Sequence, residues 1–176
     1  MSKRFIDAKV TIDLKPLGRF RYLIDRDLNR SGNGPVAKAL NQWAVRYRGY
    51  IQERFARLSR GGGGVWPPLK PSTIAGRRKG SKSILRDTGT LFAALSPIFR
   101  KNPGQYQKRI PGGIRVGYGT TAKHPSGKIS VAKLAKIHND GLGRVPKRVI
   151  MVQPSQQVKT AMVGDMRRAI ARILNE

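Results

Sequence analysis

The residues able to do acid–base or metal chemistry are few: nine carboxylates, two histidines and no cysteine in 176 residues. The acids are Asp7, Asp13, Asp25, Asp27, Glu53, Asp87, Asp140, Asp165 and Glu176. A magnesium-dependent nuclease gathers two or three carboxylates on one metal, and nothing groups them here. Asp7 and Asp13 fall on the polar face of an expected strand. Asp25 and Asp27 stand two apart on an expected helix and point different ways. Glu53 and Asp165 share helices with arginines. His124 lies in a Gly/Pro loop and His138 at a helix end, so zinc would need both together with acids. The lack of Cys excludes disulfides, thiol catalysis and thiolate zinc sites. A Ser-His-Asp set could be assembled around His138 and Asp140, but no nucleophile-elbow motif is present. No catalytic residue, metal or cofactor is expected.

Two stretches imitate phosphate loops. Gly127-Lys128 is followed by Ile129 rather than Ser or Thr, and the Gly required five residues before Gly127 is Ala122, so the P-loop pattern fails twice. Gly117-Tyr118-Gly119 with Ala122 follows a strand, as a dinucleotide fingerprint does. That fingerprint needs a helix to open at once so that its N-terminus meets the pyrophosphate, and Pro125-Ser126-Gly127 stands in the way. No aromatic sheet motif, zinc finger or basic zipper appears.

Charge is the strongest compositional signal. Lys and Arg number 36 against nine acids, a net charge of +27. Nine basic residues and no acid lie between Glu53 and Asp87, and nine more with no acid between Asp87 and Asp140. Such a field calls for a polyanion or an acidic partner. The densest run is Arg77-Arg78-Lys79 with Lys82 and Arg86, and these five are the candidate DNA-facing or inter-subunit basic residues. Dispersed basic charge suits phosphate attraction without sequence reading. The hydrophobic share is 39%, enough for a core. No apolar run approaches the roughly 18 residues needed to cross a bilayer, and no leader pattern opens the chain, so no membrane partner is expected.

The elements that must position these residues follow from periodicity. Residues 5–15 alternate as a strand through Ile6, Ala8, Val10, Ile12 and Leu14. A short helix is expected over 16–29. From Pro35 to about residue 59, a stripe of Val36, Leu40, Trp43, Ala44, Tyr47, Ile51, Phe55 and Leu58 predicts a long amphipathic helix with a core face. Lys38, Arg46, Arg48, Arg54 and Arg57 are assigned to its other side. A long extended loop or arm is expected over 61–86, with weak self-burial, then a short helix from Leu91. A hairpin is expected over 98–118, opened by Ile98-Phe99. Ser130 can cap a helix to about His138, 148–153 reads as a short β segment, and Ser155 caps a last helix over about 155–174. The fold expected is a single α+β domain over residues 1–176, with a small antiparallel or mixed sheet packed by the two longer helices.

One ordered set of motifs resembles a known family. Trp66-Pro67-Pro68-Leu69 with Thr73, a basic stretch, then Leu85-Arg86-Asp87-Thr88-Gly89-Thr90-Leu91 and Ser96 resembles the virion morphogenesis (tail completion) family of Mu-like tailed phages. Ala135 to His138 and on to Gly141 resembles its Ala-x-x-His-x-x-Gly, and Val145-Pro146-Lys147-Arg148 its Ile-Pro-x-Arg. Arg148-Val149 replaces the family's usual Arg-Pro, and Leu134 stands where an aromatic residue is frequent.

The resemblance implies a structural, non-enzymatic virion protein, assembled in the host cytoplasm, in the neck or tail-end ring that joins the DNA-filled head to the tail. Its partners would be further copies of itself in a ring, taken as sixfold, and other phage neck, connector or tail proteins, with sequence-nonspecific contact to packaged DNA. Trp66, Leu69, Thr73, Asp87, Thr88, Gly89, Leu91, His138, Gly141, Pro146 and Arg148 would form the assembly motif. Asp87 or Thr88 would cap the Leu91 helix, Pro146 would fix a turn, and Arg148 would be a buried or interface cation. The Asp-Thr-Gly triplet also occurs in aspartic proteases, but residues 82–86 make a poor supporting strand and only one copy is present. The alternative function is a sequence-nonspecific basic nucleic-acid-binding protein.

Overall fold

The computed structural model describes residues 7–11, 18–29, 33–60, 66–77, 82–97, 104–110 and 113–175. In chain order these form β1 (Asp7–Thr11), α1 (Gly18–Asn29), α2 (Pro35–Ser59), α3 (Pro71–Ala75), α4 (Thr90–Ala93), β2 (Gln105–Ile110), β3 (Gly113–Tyr118), α5 (Val131–Asp140) and α6 (Gln156–Leu174). The protein is α+β, with a three-stranded antiparallel sheet ordered β1-β3-β2 against the long helices.

Helix α2 is the axis. Its expected stripe is buried at every position from Val36 to Leu58. A stripe at helical spacing buries one face, and that face here meets α6 and β3. The aromatic residues therefore serve the core. Phe55 meets the Trp66 ring edge-on at 5.1 Å, Trp43 Nε1 donates to Met162 O at 2.6 Å, and Tyr47 Oη donates to Val152 O at 2.8 Å. One hydrophobic core joins these to Ile114, Val116 and Tyr118 of β3 and to Met162, Met166 and Ile173 of α6.

The start of α2 is capped from a distance. Pro35 occupies its first turn and Gly34 offers no side chain. The Asp27 carboxylate, at the end of α1, accepts instead from Val36 N at 2.9 Å and Ala37 N at 3.2 Å. An anion there also complements the helix dipole. A Cβ on Gly34 would lie 1.6 Å from Asp27 Oδ1, so this glycine is required by space.

Several expectations are corrected. Arg48 does not belong to a solvated face: it is 1% exposed and its Nη2 donates to Tyr106 O at 3.3 Å. Burial lowers its pKa to about 10. Arg54 is half-buried and donates to Val149 O and Ile150 O. Within segment 61–86 the described residues are not all unburied: Trp66, Ile84 and Leu85 are buried and Ile84 N is bonded to Ser59 O at 2.8 Å. It also contains α3, which Pro71 opens at a helix start where the missing N–H costs nothing.

The described first arm of the hairpin is β2, with Gln105 opposite Tyr118 and Ile110 opposite Gly113; Ile98 and Phe99, expected to open it, lie outside the described residues. The described part of the first strand is Asp7–Thr11. Residues 148–153 join no strand. Their backbone groups are taken by side chains instead: Asn139 Oδ1 accepts from Ile150 N and Met151 N, while Arg54, Trp66 and Tyr47 bond carbonyls of 149, 150 and 152. With those groups satisfied, no ladder is needed. The caps at Ser130 and Ser155 are as read, accepting from Lys133 N and Val158 N.

Candidate functional site

Three distant segments meet in one cleft of about 680 Å³. The first runs from Pro67 to Arg77. Trp66 anchors it in the core, and its Nε1 donates to Val149 O at 3.3 Å. In return Arg148 Nη2 donates to Pro67 O at 3.0 Å. This pair of bonds staples residues 66–67 to 148–149, leaving Leu69, Lys70 and Thr73 on the cleft wall.

The second segment is 83–91. Arg77 Nη1 donates to Ser83 O at 2.5 Å, and Leu85 adopts a left-handed backbone with φ 58°, an uncommon conformation for a branched residue. That twist accompanies a buried Leu85 side chain at the cleft. Asp87, Thr88 and Leu91 follow along the same wall.

The third segment is the end of α5 and the turn after it. Gly141 terminates α5 in the left-handed region (φ 71°), as favoured for a helix C-terminus. A Cβ there would lie 2.9 Å from Lys147 N, so only glycine lets the chain double back. Arg148 N then bonds His138 O at 2.7 Å. Leu134, His138, Arg144, Val145, Pro146 and Arg148 line the cleft as a result.

The electrostatics are one-sided. Lys70, Arg77, Arg144 and Arg148 line the cleft against the single carboxylate of Asp87. Arg148 is 4% exposed, and its Nε has no hydrogen-bond partner among the described residues. Burial, then Arg77, lowers its pKa. Burial, then the charges of Arg148 and Arg77, lowers His138 to about 4. His138 is therefore a neutral ring near pH 7, too weak a base to be poised for proton transfer there.

His124 bridges two hydroxyls. Its Nδ1 accepts from Ser126 N at 3.2 Å, which leaves the proton on Nε2, 3.2 Å from Thr88 Oγ1. In that tautomer Nε2 donates to Thr88 and cannot take its proton. The contact ties the 119–130 loop to the start of α4. Among the described residues, no three His, Asp or Glu side chains form a group able to hold a metal.

Of the motif residues, Leu69, Thr73, Asp87 and Thr88 line the cleft, together with Leu91, His138, Pro146 and Arg148. Trp66 and Gly141 support it from behind, and Gly89 is the N-cap residue of α4 with φ 72°. Asp87 is not the expected cap: it is exposed, and α4 has no side-chain cap bond. Thr88 Oγ1 approaches Thr90 N only at 3.5 Å.

The basic group is also split. Arg77 turns into the cleft, Arg86 covers the Phe92 ring at 4.2 Å, and Lys82 is exposed. Arg78 and Lys79 lie outside the described residues. Sequence reasoning missed the roles of His124, Leu134, Asn139, Lys70 and Arg144. Lys70 and Arg144 flank the motif prolines, and that adjacency was the available signal.

A second groove of about 1090 Å³ runs between α2 and α6, lined by Arg46, Arg54, Arg57 and Arg60 with Tyr50 and Glu53. Arg46 is paired with Asp165 at 2.8 Å. No family model, no curated protein and no solved structure matches the chain.

Proposed function

We propose that this chain is a structural virion protein of a tailed bacteriophage, a tail completion or neck component that helps join the DNA-filled head to the tail as part of a ring. The observation that carries the reading is the convergence of the ordered motif set on one open cleft. Residues needed only for folding would sink into the core, as Trp66 does. Leu69, Thr73, Asp87 and Pro146 remain at a surface wall, where a neighbouring protein can meet them. The charge of +27 supports a place beside packaged DNA or acidic neighbours, since like charge concentrated in a ring repels itself without them.

The reading is tested by deleting the gene from the phage genome that carries it. Filled heads and separate tails are expected; normal infectious particles would contradict it. A second reading, a sequence-nonspecific nucleic-acid-binding protein, draws support from the arginine-lined α2–α6 groove. It predicts monomers with salt-sensitive DNA affinity and no role in joining heads to tails.

A further inference from the structure

We propose that the cleft between α3, α4 and the end of α5 is a peptide-docking site, in which an extended acidic segment of a different protein seats a carboxylate against Arg148 and Arg77 while its apolar side chains lie on Leu69, Leu91 and Leu134. The inference deepens the assembly reading and rests on it for the existence of a protein partner.

The anchor is Arg148. A guanidinium N–H that is buried without an acceptor is unfavourable, and Arg148 combines 4% exposure with an Nε that lacks a partner among the described residues. His138 Nδ1, in the same wall, is likewise buried without a partner. Both Arg148 and Arg77 press their positive charge on the His138 ring, so the two guanidinium groups converge on one region. An incoming carboxylate at this wall would offset the like charges that Arg148 and Arg77 bring to the cleft. Hydrogen bonds to a charged acceptor are the stronger kind.

The rest of the cleft selects the carrier of that carboxylate. Its volume of about 680 Å³ lies within the range of roughly 300–1,000 Å³ usual for bound ligands. Four leucines and three prolines of its wall give apolar contact beside the charges. Clustered arginines beside such contact match an acidic peptide motif. Duplex phosphates are met by exposed basic side chains on open surfaces, and Arg148 is not one. A second copy of this chain is a poor source, with nine acids against 36 bases. An acidic partner is the complementary one.

The test is fluorescence anisotropy of the full chain with a labelled decapeptide of alternating glutamate and leucine. Saturable binding is expected. Arg77→Gln should weaken it by about tenfold or more, and Leu134→Glu should do the same by placing a like charge on the apolar wall. Arg57→Gln with Arg60→Gln, in the other groove, should leave it within about twofold. Circular dichroism checks that each variant is folded; if one is not, the other carries the test.

The proposal is overturned if the wild-type chain binds no peptide saturably. Equal weakening by the cleft and groove variants would overturn it too, since binding would then follow general charge. Displacement of the peptide from the cleft by short duplex DNA would overturn it in favour of a phosphate site. None of these results alters the head-and-tail outcome of gene deletion, so failure of the docking site and failure of the assembly reading are told apart.

Discussion

His138 sits where burial and positive charge act together. Its pKa falls from 6.5 to about 4 because the ring is buried and because Arg148 and Arg77 face it. In the unfolded chain the ring binds a proton at about 6.5, so between those values the unfolded state holds more protons. Stability contributed by the neutral ring is therefore complete above about pH 6.5 and is lost as pH falls toward 4. The full shift corresponds to roughly 3 kcal/mol, and solvent screening of a part-exposed ring leaves about 1–2 kcal/mol. Denaturant titrations of the wild-type chain and His138→Gln, at pH 7 and near pH 4.5, should show the wild type losing that much more. Equal losses would mean that the ring is not held neutral. Asp87, by contrast, is exposed and caps no helix, so its place is on the cleft wall and not in a stabilising cap.

At the scale of elements, what was legible in the sequence was what local periodicity and local chemistry encode. The α2 stripe, the alternation of Ile114, Val116 and Tyr118 in β3, and the Ser130 and Ser155 caps all act within a few residues of themselves. The misread pieces depend on partners far along the chain. Residues 148–153 have strand-like composition, yet Asn139, Arg54, Trp66 and Tyr47 take up their backbone groups. Arg48 reads as a surface cation until Tyr106 is placed beside it. The cleft was legible as a set of residues and not as a cavity, because its three walls meet only in the fold. Its integrity rests on side chains that pin the 148–152 segment. Asn139→Ala leaves two backbone N–H groups without their acceptor and should cost about 1–3 kcal/mol. Trp66→Ala removes a core ring and should cost about 3–5 kcal/mol. Thermal or urea unfolding of the two variants checks both; an unchanged midpoint for Asn139→Ala would show that the segment is held by its apolar residues alone.

For the whole molecule, charge dominates. The net charge of +27 already counts every carboxylate, so ion pairs such as Arg46–Asp165, Arg168–Asp165 and Lys136–Asp140 leave that excess without counter-charge inside the chain. A free subunit repels its own copies at low salt, and screening shortens that repulsion to within about a Debye length. Closed association of identical subunits is therefore expected once salt replaces the natural counter-charge. The direct measurement is the mass distribution of the purified chain across a salt series, with negative-stain images of the same samples. The account predicts closed rings of one defined copy number at high salt. Uniform monomers at every salt concentration and protein concentration would contradict it.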